Sequence, residues 1–237
     1  MSDSVVIIPT YNELENVERM TRKVMSLEKK FHIVYIDDAS PDGTADKIKE
    51  LQQEFPGRVH LEQREGKLGL GTAYIHGFRW SINQGYEYIF EMDCDFSHNP
   101  DDLERLYTAC HDEGADVAIG SRYCRGGKVK NWPFKRVLLS YFASVYVRMI
   151  LWIGIKDTTA GFKCYRRSVL EKINLDGVTF KGYAFQICMK FAAKKHKFKI
   201  TEVPITFVDR EFGESKMSTG IFKEAFFGVW KMRKMDL

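Results

Sequence analysis

Five short apolar runs, at 5–9, 32–36, 58–61, 87–92 and 116–120, are separated by stretches whose apolar residues recur at helical spacing. After the first run that spacing is carried by Leu14, Val17, Met20, Val24 and Leu27, which predicts a helix from about Asn12. Further helices are predicted over 45–55, from the glycine-rich segment 66–72 to about Asn83, and over 100–113. Strands alternating with helices of this length build right-handed crossover units and a mainly parallel sheet. An open sheet of that kind binds ligands beyond the carboxyl ends of its strands. The polar clusters fall at those ends: Pro9-Thr10-Tyr11-Asn12-Glu13, then Asp37-Asp38, then Asp93-Cys94-Asp95. Three loops are expected to converge on one crevice.

The last cluster carries the most chemistry. Side chains alternate along an extended backbone, so Asp93 and Asp95 share one face at a strand exit. One or two carboxylates suit a hard divalent cation that keeps open positions for the oxygens of a substrate diphosphate. Taken alone, the pair could equally be two solvated loop aspartates. A second signal is electrostatic. Between Ser121 and Arg136 stand Arg122, Arg125, Lys128, Lys130, Lys135 and Arg136, with no acidic residue among them. A local field of that sign recruits phosphates or an anionic surface.

Several designs are excluded by position. A dinucleotide fold needs glycines at the first strand-to-helix turn, but that turn is Pro-Thr-Tyr-Asn-Glu, and Gly66, Gly69 and Gly71 follow the third run instead. No P-loop pattern occurs, and sugar nucleotidyltransferases lose ground for the same reason as dinucleotide folds. The histidines at 32, 60, 76, 98, 111 and 196 form no recognisable relay for a hydrolase triad. Cysteines 94, 110, 124, 164 and 188 are odd in number and lack a C-x-x-C pair, so they read as reduced thiols in a reducing compartment. The N-terminus shows no signal-peptide pattern.

After Gly120 the alternation weakens. The segment 137–155 is apolar over nearly a bilayer's length but is broken by Arg148, Ser140 and Ser144, which predicts a helix lying on a surface. A second apolar set with basic flanks runs from Ile221 to Trp230 and could lie beside it. A helix near 183–194 and one strand over 199–208 are also expected. No repeat, low-complexity tract or linker is visible, so a single domain over 1–237 is expected.

Read in order, Pro9-Thr10-Tyr11-Asn12-Glu13, Asp37-Asp38-Ala39-Ser40-Pro41-Asp42-Gly43-Thr44 and Asp93-Cys94-Asp95 resemble the signatures of an inverting GT-A glycosyltransferase of family 2. Gly120-Ser121-Arg122-Tyr123, Gly182-Tyr183-Ala184-Phe185-Gln186, and Phe207-Val208-Asp209-Arg210 with Gly213-Glu214-Ser215-Lys216 resemble its dolichol-phosphate (polyprenol-phosphate) mannosyltransferases. The resemblance implies an α/β GT-A fold with C-terminal amphipathic helices. Residues 1–120 would form the nucleotide-binding half and 121–237 the acceptor and membrane-facing half. The implied reaction is inverting transfer of mannose from GDP-mannose to a polyprenyl phosphate, with Mg2+ or Mn2+ as cofactor. Another donor such as UDP-glucose, or a non-catalytic nucleotide-sugar binding module, remains open at this point.

The resemblance also assigns residues. Pro9, Tyr11, Glu13, Ile36 and Asp38 would line the nucleotide pocket. Asp93 and Asp95 would be metal-site residues. A glutamine often stands in the family where this chain has Ser97, the third candidate ligand. Cys94 replaces a small residue and would set a thiol beside the metal. Arg122, Lys181, Arg210 and Lys216 would grip the diphosphate and the acceptor phosphate, with Asp95, Arg122 and Arg210 closest to the chemistry. The loop 210–220 could close over donor. A lipid monophosphate needs no strong general base, because its second pKa is about 6. Peripheral attachment at the cytosolic face of a membrane, a possible membrane-anchoring partner subunit and no nucleic-acid partner complete the expectations.

Overall fold

The computed structural model describes residues 2–209 and 219–237, the side chains of 219–225 excepted. The first four crossover units follow the sequence pattern: β1 (Ser4–Thr10), α1 (Leu14–Met25), β2 (His32–Asp37), α2 (Thr44–Glu54), β3 (Val59–Gln63), α3 (Leu70–Asn83), β4 (Tyr88–Glu91) and α4 (Asp102–His111). Next come β5 (Val117–Ser121), β6 (Lys128–Lys130), α5 (Phe134–Leu151), β7 (Lys163–Arg166), α6 (Arg167–Lys172), α7 (Tyr183–Lys195), β8 (Ile200–Pro204), β9 (Thr206–Val208) and α8 (Thr219–Met232).

Seven strands form one sheet in the order β3-β2-β1-β4-β7-β5-β8. The pairs β1–β2, β2–β3, β1–β4 and β5–β8 are parallel, while β7 runs antiparallel to both β4 and β5. Alternate residues of β1 and β2 enter opposite cores, as period two requires. Val5, Ile7, Val34 and Ile36 meet α3, α5 and α7 on one face. Val6, Ile8, Ile33 and Tyr35 meet α1, α2 and α4 on the other. Covered on both faces, these strands read as continuous apolar runs. Close approach of α3 to β1 depends on Gly77, where an added Cβ would stand 2.6 Å from Ile7 Cγ2.

In its strands the second half departs from the sequence pattern in two places. β7 is an unexpected insertion between β4 and β5. The single strand expected over 199–208 is two: β8 joins the main sheet, the chain turns at Ile205, and β9 pairs in parallel with β6 inside the basic loop. Pro204 ends the first stretch, since it offers no N–H to continue a ladder. The apolar helix is α5, preceded by Pro133 and ended by Trp152 at φ +55°. It lies against α8: the Tyr146 and Phe226 rings stack at 4.8 Å, and Trp230 Nε1 donates to Tyr146 Oη at 3.1 Å. Among the described residues no helix is long and apolar enough to cross a membrane.

Candidate active site

Strand order reverses between β1 and β4, because the chain proceeds outward to β3 on one side and returns to β4 on the other. The loops after β1, β2 and β4 therefore meet at a topological switch point, where an open sheet offers a crevice. All three loops carry a non-glycine residue in the left-handed region: Asn12 at φ +56°, Ala39 at +54° and Phe96 at +58°. Such conformations cost of order 1–3 kcal/mol each and persist only where neighbours over-determine them.

On the nucleotide side the neighbours are short polar side chains. Asp37, fully buried, accepts from Thr10 Oγ1 at 3.0 Å and from Ser40 N and Oγ at 3.0 and 2.6 Å. Ser40 Oγ, Thr44 Oγ1 and Asp42 Oδ2 then accept the backbone N–H groups of Asn12, Glu13 and Leu14 at 3.0, 3.0 and 3.1 Å. The second loop thus caps α1, which has no side-chain cap of its own. The Asp-Asp-Ala-Ser-Pro-Asp-Gly-Thr motif is largely a clasp that holds two loops in register.

Within that clasp, Tyr11 is half-buried and carries Lys67 Nζ 4.5 Å above its ring centroid. Asp38 is buried and accepts from Arg64 Nε at 2.6 Å, while Arg64 Nη1 reaches Thr72 Oγ1 at 2.9 Å. Burial pushes the Asp38 carboxyl above its usual range, opposed by Arg64. Arg64 and Lys67 had no sequence signal beyond their place before the glycines. Pro9 is half-buried at the end of β1, and the Glu13 carboxylate accepts from Asn16 Nδ2 at 2.8 Å in its own helix's first turn. Ile36 requires a correction: it is fully buried in the core of a central strand and lines no open surface. Gly71 N donates to Lys181 O at 3.0 Å, and a Cβ on Gly71 would stand 2.4 Å from Phe180 O. The glycines admit the 180–181 segment against the start of α3, placing exposed Lys181 at the crevice rim beside Gly69.

On the acidic side, Asp93 is the more open carboxylate, with its side chain 39% exposed, and Asp95 is buried. Tyr74 Oη donates to Asp93 Oδ1 at 3.2 Å. Burial first, then the nearby carboxylates, push the Tyr74 hydroxyl well up, so it stays a donor. Ser97 N and Oγ donate to Asp95 Oδ1 at 3.1 and 2.6 Å, which makes Ser97 an orienting group for that carboxylate. Burial pushes His98 down to about 4; the neutral ring makes a long contact with Asp93 N at 3.5 Å and stacks on Phe162. The Cys94 thiol is a second correction. It is 3% exposed among the residues facing α1 and α2, because it alternates with the two aspartates, so it is turned into the core.

Beneath the acidic pair lies a layer of buried charge that sequence reading missed except at Arg122. Arg122 Nε and Nη2 donate to the two oxygens of Asp157 at 2.7 Å each, and Nη2 also reaches Thr159 Oγ1 at 2.8 Å. Burial would lower the arginine and raise the aspartate, but their contact outweighs it in both, so both stay charged. Tyr123, Trp132 and Phe207 rings surround the guanidinium at 5.2–5.6 Å. Lys163 pairs with Glu91 across β7 and β4 at 3.0 Å, in register and fully buried, and Gln186 bridges the two. Arg136 stacks on Trp132 at 3.9 Å and pairs with Asp209 at 3.2 Å, tying the start of α5 to the end of β9. Arg210, Lys216 and most of the expected closing loop lie outside the described residues.

Donor chemistry decides what this site can hold. Among the described residues no group of three or more His, Cys, Asp or Glu gathers, so a closed thiolate or imidazole site is not formed there. Two carboxylates of unequal exposure at a crevice mouth fit a hard, oxygen-seeking divalent cation that completes its shell with ligand oxygens and water.

The sheet order and crevice define an α/β enzyme of GT-A architecture. Two solved structures share this fold: glucosyl-3-phosphoglycerate synthase from Mycobacterium tuberculosis with Mn2+, UDP and glucosyl-3-phosphoglycerate, and a mannosyltransferase from Pyrobaculum calidifontis with GDP-Man and Mn2+. The first has a TM-score of 0.69 at 14% identity, covering 98% of this chain and 80% of that one. The second has 0.60 at 16%, covering 97% and 69%. The description "Glycosyl transferase family 2" matches residues 5–174, and the chain belongs to that family of glycosyltransferases. Polyprenol monophosphomannose synthase of Mycolicibacterium smegmatis is 50% identical over 232 residues, 97% of this chain and 87% of that protein. Undecaprenyl-phosphate mannosyltransferase of Micrococcus luteus is 45% identical over 225 residues, 95% and 91% of the two chains.

Proposed function

We propose that this enzyme transfers mannose from GDP-mannose to the phosphate of a polyprenol, with inversion at the sugar carbon. The observation that carries the reading is the unequal acidic pair, Asp93 open and Asp95 buried and oriented, at the switch point of the sheet. Full-length similarity to relatives named for polyprenol and undecaprenyl phosphate mannosylation supports acceptor and sugar alike. Asp93 and Asp95 would hold Mg2+ or Mn2+, with Ser97 fixing Asp95. When bound, the cation neutralises charge on the diphosphate.

The chain's own side chains supply the remainder. Tyr11 under Lys67 offers a face to the base, and Asp38 and Arg64 form the polar wall beside it. Lys181 lies at the rim for phosphate contact, and Arg210 and Lys216 are assigned the same task by resemblance. Arg122 contributes positive potential from below, since two of its nitrogens are already committed to Asp157. The acceptor phosphate is largely dianionic near neutral pH, so its oxygen attacks the anomeric carbon without a general base. The new carbon–oxygen bond forms opposite the breaking bond to GDP, which departs as the diphosphate, stabilised by charge already in place.

The lipid would be met at a membrane surface. Phe134, Leu139, Phe142, Met149 and Trp152 of the α5 region, and Phe226, Phe227 and Trp230 of α8, are each more than half exposed on two touching helices with basic flanks. Aromatics and lysines around an apolar face suit the headgroup boundary, here at the cytosolic face, with or without an anchoring partner subunit. The test is thermal stabilisation by GDP and by UDP, each with and without Mn2+, followed by transfer to a short-chain polyprenyl phosphate. Selective Mn2+-dependent stabilisation by GDP and formation of a mannosyl lipid are expected. Equal response to UDP would overturn the donor, and absence of transfer the acceptor.

A further inference from the structure

The segment from Asp157 to Phe162 walls the crevice beside Asp93, and it is bent around a charge that the reaction above does not use. Lys190 sits in the middle of α7 with no exposed surface. Its Nζ donates to Thr158 O at 3.0 Å, Ala160 O at 2.6 Å and Gln186 O at 3.3 Å. Three carbonyl acceptors match the three N–H bonds of an ammonium, whereas a neutral amine would turn a lone pair toward one of them. The ion pairs nearby are Arg122–Asp157 and Lys163–Glu91; among the described residues Lys190 joins none. Burial first, then Lys163, push the Lys190 amine well below its ordinary range; Asp157 and Glu91 oppose this from beyond pairing distance, and the three carbonyls hold it as a donor. An apolar side chain would suit the rest of this helix, where Ala184, Phe185, Ile187, Met189 and Ala192 fill the core.

The effect of the charge is visible in the segment it holds. The Thr158 and Ala160 carbonyls turn inward to the ammonium, while Thr159 between them turns its hydroxyl to Arg122. Gly161 follows, and a Cβ built there would stand 3.9 Å from Asp93 Oδ2 and 3.8 Å from His98 Cε1. Phe162 then stacks on His98 with ring centroids 5.0 Å apart. We infer that Lys190 is a positioning residue: by drawing in the carbonyls of Thr158 and Ala160 it fixes the course of the segment that brings Gly161 beside Asp93, and so keeps the space in front of that carboxylate open. This rests on the reading of Asp93 and Asp95 as the cation site.

The test compares wild type with Lys190→Met in two measurements that do not depend on turnover. Calorimetric titration gives the Mn2+ concentration needed for half-maximal GDP binding, and hydrogen exchange follows the amides of 157–162. Supporting groups behind a metal ligand typically carry 10–100-fold in metal affinity. The Mn2+ requirement should therefore rise on the order of tenfold or more, GDP binding at saturating Mn2+ should be largely kept, and exchange in the segment should quicken. A merely structural lysine would lower the melting temperature and move neither. Lys190→Gln keeps two N–H donors without the charge; it serves if the methionine variant does not fold, and should shift both readouts the same way by less. A folded variant with unchanged Mn2+ requirement and unchanged exchange overturns the proposal. If wild type itself shows no Mn2+-dependent GDP binding, the cation-site reading falls, and with it the proposed purpose of Lys190.

Discussion

The two walls of the crevice are built by different means. The wall from the loops after β1 and β2, proposed to meet the nucleotide, is held by short hydroxyl and carboxylate side chains bonding to nearby backbone N–H groups: Ser40, Asp42 and Thr44 against Asn12, Glu13 and Leu14. The phosphate wall is held from below by buried ions drawn from distant parts of the chain: Arg122 with Asp157, Lys163 with Glu91 and Gln186, and Lys190 with Thr158 and Ala160. Bonds between adjacent loops fix shape, with the Asp37 and Asp42 carboxylates satisfied by nearby hydroxyls and N–H groups. Buried charges are expensive to assemble, and here each is matched by partners drawn from distant segments. Local bonding on one wall and long-range buried charge on the other thus hold the two sides of the crevice by different means.

Substitutions can break that contrast. The largest effect is expected from Asp157→Ala, which leaves Arg122 buried and unpaired and should cost ~3–5 kcal/mol of stability. Thermal unfolding measures it, and a loss below about 1 kcal/mol would put the pair with ordinary surface bridges. Replacing both partners, Arg122→Met with Asp157→Leu, should recover much of that stability while leaving transfer impaired, because packing is restored but the field is not.

A smaller effect is expected on the other wall. Thr44→Val removes one acceptor from Glu13 N and one donor to Asp42 while keeping the side chain's shape. The loss should be about 1–2 kcal/mol, with weaker GDP binding and an unchanged Mn2+ requirement. A changed requirement would mean that the walls are not separate. A further effect, absent at neutral pH and seen only as pH falls, lies away from both walls at His32, which bonds to the Tyr86 hydroxyl at 2.7 Å. Burial, then the His60 and Arg58 charges, push it down to about 4 from the ordinary 6.5. The unfolded chain binds that proton first as pH falls, so this contribution is complete above 6.5 and is lost between 6.5 and about 4. His32→Gln should flatten part of the stability slope in that window; a slope as steep as wild type would remove His32 as its source.

Legibility in the sequence follows the same division. The elements from β1 to α4 were expected within a few residues, because each is one continuous run with its own period. β7 was missed: at four residues, Lys163–Arg166, it is short and carries a buried lysine that only Glu91 on the neighbouring strand makes tolerable. β8 and β9 were merged because Pro204, the one local break, does not by itself show that the strand after it joins a different sheet. At the candidate site, Tyr11, Asp38, Asp93 and Asp95 were proposed from short motifs, and the structure places them on the loops after β1, β2 and β4. Arg64 and Lys67 could not, since their partners Asp38 and Tyr11 are supplied by other loops.

By itself the sequence determined the crossover order and the location of the polar loops at strand ends, because these depend on periodicity and near neighbours. Only the tertiary structure decided that Cys94 faces the core, that Arg122 is already engaged by Asp157, and that Lys190 lies behind the Gly161 turn. A buried charge is stable only in the company of its partners, and those partners are brought together by the sheet order, which places residues far apart in the chain at hydrogen-bonding distance.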